Sequence, residues 1–495
     1  MDPTILEELE KSSNDVPFRA RPNHVHHTWA KTFYSLPELY IQPESLAEIE
    51  KVVNLARKCR RRIVTTGCGH SPSNITCTSS WLVNLDNYNR ILSVDKSSGL
   101  AVIQSGIRLY ALCDELERHG LAMPNLGSIN QQSIAGAIST GTHGSSLFHG
   151  LMSEDVLALK ITLANGKTEI CSHDENPALF RAALLSLGAL GIITEITFRA
   201  VRSFTLRWTQ TIDTDVKMLN AWKKDLWTQS EFVRVWWFPY TRRAVVWRAD
   251  KTDEKLVEPP RRNYDGALGY YVYHNLLYLA QYVPRILPMV ECRKALLMNC
   301  LYSQFVNEWA IPLERGPEAL RRLSSWLNHL TPSDPDYVPH NIPFSAKGLY
   351  VHAPVEVRVS DTTLTSNVRP YLDPTSPDGP TLYLNATLYR PYLMDPPCRA
   401  RYYEAFEWLM EDLGGKPHWA KNFLASEAVE DFYGRELTEW RSVRNAADPE
   451  GMFVGQWHRE KVLGKGPRLA LEEAESGRTR TRDGGLEVSG VVGKR

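Results

Sequence analysis

Apolar positions along the chain keep two periods, one helical and one alternating, and the stretches between them are rich in glycine or proline. From Pro43, the run Glu44-Ser45-Leu46 through Ala56 has helical spacing. It ends in Lys58, Arg60, Arg61 and Arg62, cations that complement a helix C-terminus. Ile63-Val64-Thr65 reads as a short strand, as do Trp81–Leu85 and Ala101–Gly106. A helix from Leu109 to His119 stops at Gly120. Val156–Leu163 and Thr168–Cys171 pair as a hairpin about Asn165-Gly166. A helix from Pro177 to Leu187 ends on Gly188-Ala189-Leu190-Gly191, ahead of the strand Ile192–Phe198.

The character changes after residue 202. Tryptophan-bearing strands (Val233–Phe238, Ala244–Trp247) alternate with proline-rich connections such as Glu258-Pro259-Pro260. Further strands follow at Pro354–Val359 and Leu382–Leu388. The apolar stretch Ala267–Val290 is interrupted by His274, Asn275, Gln281, Pro284 and Arg285, so it is too polar to span a bilayer. It reads as a helix buried under the second unit, with a place on a membrane surface as the alternative. Beyond Trp457 there are no aromatic residues, and Gly, Arg, Glu and Ser dominate from Gly464, which predicts a disordered tail. The expected organisation is therefore α+β in two domains: an extension at 1–23, loosely ordered; a first unit at 24–202; a second at 203–460; and a tail at 461–495.

Composition narrows the possibilities. A chain of 495 residues is more than one core usually fills. Its formal net charge of zero gives no electrostatic reason to expect nucleic acid or an anionic membrane as the main partner. The eight cysteines (Cys59, Cys68, Cys77, Cys113, Cys171, Cys292, Cys300, Cys398) are scattered without metal-type pairing and read as reduced thiols. The acidic N-terminus (Asp2, Glu7, Glu8, Glu10) does not suit a transit or signal peptide. His24, His26 and His27 have no carboxylate or cysteine at ligand spacing, and no metal site is expected.

Chemistry concentrates in two glycine-rich stretches, Thr66-Gly67-Cys68-Gly69-His70-Ser71-Pro72-Ser73 and Gly127-Ser128-Ile129 running on through Ser133-Ile134-Ala135-Gly136-Ala137-Ile138-Ser139-Thr140-Gly141-Thr142-His143-Gly144. Such turns let a ligand touch bare backbone and make anion-binding nests. Two of them suggest a pyrophosphate gripped from both sides. A Rossmann fingerprint is excluded by the missing third glycine and by Pro72, and a P-loop by Ile161 ahead of Gly166-Lys167-Thr168.

These stretches resemble the FAD-binding domain of the vanillyl-alcohol-oxidase flavoproteins, and within that group the sugar-1,4-lactone oxidases, over about Trp29 to Trp457. The resemblance implies a PCMH-type FAD domain followed by an α+β substrate (cap) domain. It places FAD against Gly67, Cys68, Gly69, His70, Ser71, Gly127, Ser128, Ser133, Gly136, Ala137, Thr140, Gly141, His143, Gly144 and Ile193. The residues alone leave two readings of His70, a hydrogen bond within the turn or a cofactor contact; the resemblance implies covalent attachment of the flavin there. Glu356 and Arg358 alternate along one strand and share a face, with the valines between them facing a core. A Glu-x-Arg strand is commonly a surface ion pair, but here it resembles the catalytic pair of these oxidases. Lys421, in Pro417-His418-Trp419-Ala420-Lys421, resembles a third catalytic group, while His418 stays open. Ser128, Asn385 and Thr387 are implied to line the substrate site.

The implied reaction is FAD-dependent oxidation of an aldono-1,4-lactone, D-arabinono-1,4-lactone foremost, at its C2 hydroxyl. The implied products are a D-erythroascorbate-type compound and H2O2. The resemblance implies that Gly127 leaves the flavin open to O2 as acceptor, with a role in the turn alone as the alternative. An alditol oxidase of the same fold and a non-catalytic flavin-binding protein are the rivals. Mitochondrial location and peripheral membrane association are implied by the resemblance alone.

Overall fold

The computed structural model describes residues 2–12, 15–255, 266–283, 293–294, 297–298, 302–365, 368–424, 429–464 and 470–471. Most of the predicted tail and the Pro259-Pro260 connection lie outside these residues. The segment before residue 23 departs from expectation. It holds a helix, α1 (Pro3–Glu10), capped by Asp2, whose carboxylate accepts from the Thr4 N–H at 2.9 Å. Ile5 is fully buried beside Leu39, Ile49 and Trp81. The next helix, α2 (Leu46–Lys58), starts where the Ser45 hydroxyl accepts from Glu48 N–H at 3.2 Å and carries Arg57 and Lys58 in its last turn. The following arginines do more than complement a dipole. Arg61 is buried between Glu38 (2.6 Å) and Asp2 (2.8 Å), and Arg62 donates to the Val454 carbonyl at 3.0 Å. These pairs tie α1 and the chain's far end to the first sheet.

That sheet contains β1 (Ala20–Arg21), β2 (Leu39–Ile41), β3 (Ile63–Thr66) and β4 (Trp81–Asn84) in the order β1-β2-β4-β3, parallel between β2, β4 and β3. A second, antiparallel sheet contains β5 (Ile91–Asp95), β6 (Leu100–Gln104), β7 (Val156–Thr162), β8 (Thr168–Ser172) and β9 (Ile192–Arg199), ordered β8-β7-β9-β6-β5. The β7–β8 turn passes through Gly166 at φ 80°, as Asn-Gly hairpins require. α3 (Leu109–Arg118) packs Leu109, Leu112 and Leu116 into the same core as the short α4 (Ile134–Ser139). The helix expected to reach Leu187 stops at Ala183, and the chain then turns through Leu187 and Gly188, both at positive φ.

A third sheet of seven antiparallel strands carries the second unit: β10 (Thr205–Thr214), β11 (Phe232–Phe238), β12 (Arg243–Thr252), β13 (Gln304–Pro312), β14 (Val355–Ser360), β15 (Thr381–Tyr389) and β16 (Lys416–Pro417), ordered β10-β12-β11-β14-β15-β13-β16. Val355, Val357 and Val359 enter the core on one face of β14, with Trp309 of β13 and Leu384 of β15. The polar partners on the opposite face are Glu356 and Arg358.

The described part of the apolar stretch, up to residue 283, does not lie buried under this sheet, and residues 284–290 lie outside the described residues. α5 (Ala267–Leu279) buries Leu277 and half-buries Tyr273, His274, Asn275, Leu276 and Tyr278, while Leu268, at 77 %, and Tyr271, at 59 %, are exposed. No helix among the described residues is long and apolar enough to cross a membrane. After β16 the chain returns to the first unit. α6 (Val429–Ala447), kinked at Gly434, and the segment behind it place Leu437, Trp440 and Trp457 in the core with Leu112 and Leu185.

Docking of α1 generates a stability prediction. Ile5→Ala removes a fully buried side chain and should cost about 2–3 kcal/mol. Leu6→Ala, whose side chain is half exposed, should cost little. The shift in denaturant midpoint separates them, and equal midpoints would mean that α1 is not held by this contact.

Candidate active site

The two glycine stretches meet face to face. A Cβ on Gly67 would stand 2.7 Å from Ser133 Oγ, so only glycine permits the approach, and Gly69 takes φ 65°. Between the loops runs a cleft of about 1000 Å³. Gly67, Cys68, Gly69, His70 and Ser71 line it from the first loop, Ser133, Gly136 and Thr140 from the second, and Ile193 from β9. Asp86, Ser105, Gln132 and His458 line it as well, although none was expected there. His458 comes from the returning chain end. Its Nε2 lies 2.8 Å from the Leu187 carbonyl and its Nδ1 accepts from Gly455 N–H at 3.0 Å, which pins the C-terminal segment over the cleft.

Six other residues assigned to the cofactor fall outside this lining: Gly127, Ser128, Ala137, Gly141, His143 and Gly144. Ala137 is wholly buried in the core, so its side chain packs α4 and does not line the cleft. Gly141, at φ 74°, turns the chain, and Gly144 lies against Asn125, which a Cβ would overlap. Together they carry the loop out of the cleft and into a second site.

That second site is built by strand register. Glu308 of β13, Asn385 of β15 and Glu356 of β14 stand opposite one another in a single row, and Arg358 faces Tyr383 in the next. Side chains in such rows lie roughly 5 Å apart on one face, so they meet without any loop to position them. Glu308, fully buried, is the hub. It accepts from Arg358 at 2.5 Å, from His143 Nε2 at 2.8 Å and from Asn385 Nδ2 at 2.9 Å, and Lys421 Nζ stands 3.8 Å away. Thr387 donates to Asn385 Oδ1 at 2.8 Å, and Ser128 Oγ lies 3.4 Å from Arg358. His143 stacks on Tyr383 with centroids 3.4 Å apart, and His418 closes the group from β16. Glu356 sits between Arg358 (3.7 Å) and Arg234 (3.6 Å), and its Oε1 is buried without a hydrogen-bond partner. Catalytic, substrate and loop residues expected on separate grounds therefore converge here: Glu356, Arg358, Lys421, Ser128, Asn385, Thr387 and His143.

Comparisons with known proteins identify the family. A family profile described as D-arabinono-1,4-lactone oxidase matches residues 196–293 and 291–461, and one described as an FAD binding domain matches 37–172. A Neurospora crassa protein, to which the D-arabinono-1,4-lactone oxidase name is provisionally given, is 57 % identical over 98 % of this chain and 96 % of its own. The Yarrowia lipolytica D-arabinono-1,4-lactone oxidase is 39 % identical over 88 % of this chain and 96 % of that one. The chain belongs to the D-arabinono-1,4-lactone oxidase family. Among solved structures, a Brevibacterium sterolicum cholesterol oxidase shares the fold with a TM-score of 0.70 at 16 % identity, covering 91 % of this chain and 98 % of its own.

Membership of the family makes FAD the cofactor, and the cleft fits it. Two glycine turns facing one another across the cleft suit the pyrophosphate of a dinucleotide. His70 lines the cleft, its ring stacked on Trp29 (centroids 4.8 Å apart), and its Nδ1 has no hydrogen-bond partner. A metal does not suit the second site. His143, Glu308 and His418 place ligand atoms within 4.8 Å of one another, yet Arg358 and Lys421 already supply cations to that carboxylate.

The charges are held by mutual contact. Burial works to raise the Glu308 pKa, but Arg358, Lys421 and His143 hold it well below the usual range. Burial works to lower Arg358, and Glu308 and Glu356 more than restore it. Burial, aided by Arg358, pushes His143 down to about 4 and drives His418 well below its ordinary value. His352 and His458 fall to about 4 through burial as well. In each, the unfolded chain binds a proton that the folded chain refuses, so stability is full above about 6.5 and falls as pH drops toward 4. The denaturant midpoint should decline from pH 7 to pH 5, and less steeply in His352→Asn. A flat profile would show these rings to be protonated in the fold.

Proposed function

We propose that this protein oxidises an aldono-1,4-lactone at its C2 hydroxyl, D-arabinono-1,4-lactone before others, to a D-erythroascorbate-type product. FAD, attached covalently through His70, supplies the hydride acceptor, and dioxygen takes the electrons to give H2O2. Residues 24–202 are read as the cofactor domain and 203–460 as the substrate domain, with 1–23 and 461–495 flanking them.

The observation that carries the proposal is the buried row Glu308–Asn385–Glu356 with Arg358 beside it. A fixed guanidinium keeps its charge under every condition of turnover, and a buried one stabilises negative charge developing nearby. Glu308 holds Arg358 in place from behind. Glu356, paired with Arg234 (3.6 Å) and Arg358 (3.7 Å), presents a carboxylate that accepts from a substrate hydroxyl. Asn385, Thr387 and Ser128 offer neutral donors and acceptors, and Lys421 a mobile cation at the rim. Such a set suits a small, uncharged, polyhydroxylated ring. Gly127, with no side chain, supports oxygen as acceptor.

Arg358→Ala should leave a yellow protein whose flavin is bleached by D-arabinono-1,4-lactone, without air, about 100- to 1000-fold more slowly than in the wild type. Readmitted air should restore the wild-type colour. An unchanged bleaching rate in the variant would remove Arg358 from the chemistry, and colour that air does not restore would point to another electron acceptor.

Peripheral association with a mitochondrial membrane is part of the same reading. The outward face of α5 supports it, because Leu268, Tyr271 and Val272 lie exposed near Tyr392, Leu393 and Met394. The two segments are joined by hydrogen bonds from Tyr392 N–H to His274 (2.8 Å) and from Tyr392 OH to Asn275 (2.7 Å). Aromatic and apolar side chains around a helix of this kind suit a lipid interface. In flotation with phospholipid vesicles, the wild type should float and Leu268→Asp/Tyr271→Asp should remain behind with turnover unchanged. A wild type that stays behind would rule out this surface.

A further inference from the structure

His70 has a neighbour with no role in the reading above. Its Nε2 lies 2.9 Å from Oε1 of Gln131, on the stretch between the two halves of the second glycine loop. The Gln131 peptide is itself fixed, since its carbonyl accepts from Arg108 at 2.8 Å while Arg108 pairs with Asp86 at 2.5 Å. Trp29 covers the imidazole face. Thus His70 is oriented from two sides, and Nδ1 is left buried without a hydrogen-bond partner.

A neutral imidazole carries one proton, and the acceptor facing one nitrogen decides where that proton sits. With the Gln131 amide oxygen facing Nε2 at 2.9 Å, the Nε2–H tautomer makes a hydrogen bond, whereas the other would set two lone pairs against each other unless the amide turned over to donate its NH2. We propose that Gln131 is a positioning residue for flavin attachment, holding the His70 proton on Nε2 and leaving the bond-forming lone pair on Nδ1. The proposal rests on the attachment through His70 proposed above. Burial keeps the ring neutral, its pKa pushed down to about 4 with Lys421 and Arg108 adding to the effect, and only the neutral ring is a nucleophile.

The step balances as follows. A C–H bond of the flavin 8α-methyl group breaks and its proton leaves to a base or solvent, while the Nδ1 lone pair forms the new C–N bond. Nε2 keeps its proton through the bond-forming step, so the linked ring is first a cation, and loss of that proton to solvent then leaves it neutral. The two electrons remain on the ring system until dioxygen, the acceptor of the proposed turnover, removes them.

Full-length wild type, Gln131→Leu, Gln131→Glu and His70→Ala, isolated from flavin-limited cells, are given FAD. Flavin that stays with the polypeptide after denaturation is followed in time against total flavin bound beforehand. The expectation is that Gln131→Leu binds FAD but attaches it about tenfold more slowly, the loss of one oriented hydrogen bond. Gln131→Glu keeps an acceptor oxygen and should attach at close to the wild-type rate, a rescue that a merely structural role would not give. Attachment at the wild-type rate in Gln131→Leu overturns the proposal. So does an equal slowing in Gln131→Glu, or loss of FAD binding itself in Gln131→Leu. Failure of the underlying reading has another signature: no attached flavin in the wild type, or attached flavin in His70→Ala.

Discussion

A buried guanidinium without a counter-charge costs several kcal/mol, and the second unit is arranged around avoiding that cost for Arg358. Glu308 supplies the charge from two strands away, at 2.5 Å, while no water-exposed group is needed to complete the pair. Once Glu308 is committed to Arg358, its remaining lone pairs set the positions of the rest. Its two oxygens also take hydrogen bonds from His143 and Asn385, and Lys421 leans toward it. Removing the carboxylate would therefore loosen four groups at once, and breaking such a pair costs more than the pair itself contributes.

The loop from Ser133 to Gly144 makes the cleft and the second site one machine. Its early residues line the cleft, and after the turn at Gly141 its His143 bonds to Glu308 across 165 positions of sequence. Ser146 then pairs with Ser360 at the end of β14. The hydrogen bonds from His143 and Arg358 to the one carboxylate fix this segment against β13 and β14. Rigid strands hold the charges and one short loop transmits their position, which is how precise sites are usually supported.

Alternation and turn signals carried much of this in the sequence. Val-Glu-Val-Arg-Val declares two faces, and β14 indeed sends its valines to the core with Glu356 and Arg358 opposite. Asn165-Gly166 declares a hairpin, and β7 and β8 form it. Glu308 was not expected, since its significance lies in register: β13 is beside β15 in space but some 75 residues before it, and no local pattern encodes that pairing. A lone carboxylate within the apolar run Phe305–Ile311 was the available signal. The same non-locality hid His458 at the cleft and α1 in the core. α5 misled for a different reason. Its hydrophobicity is uniform, and uniform hydrophobicity says that a helix avoids water without saying whether protein or lipid provides the shelter.

The electrostatics of the two sites are also shared. Lys421, set beside Glu308, is close enough to depress the basicity of His70, as Arg108 does from the other side. These cations arrive from opposite ends of the chain, Arg108 before the second glycine loop and Lys421 after β16. Burial is the larger cause, and Gln131, Arg108 and Trp29, all of the first unit, orient the ring. An imidazole still open to water would be partly protonated near neutral pH and free to choose either tautomer. Burial therefore does most of this work, and Lys421 from the second unit adds to it.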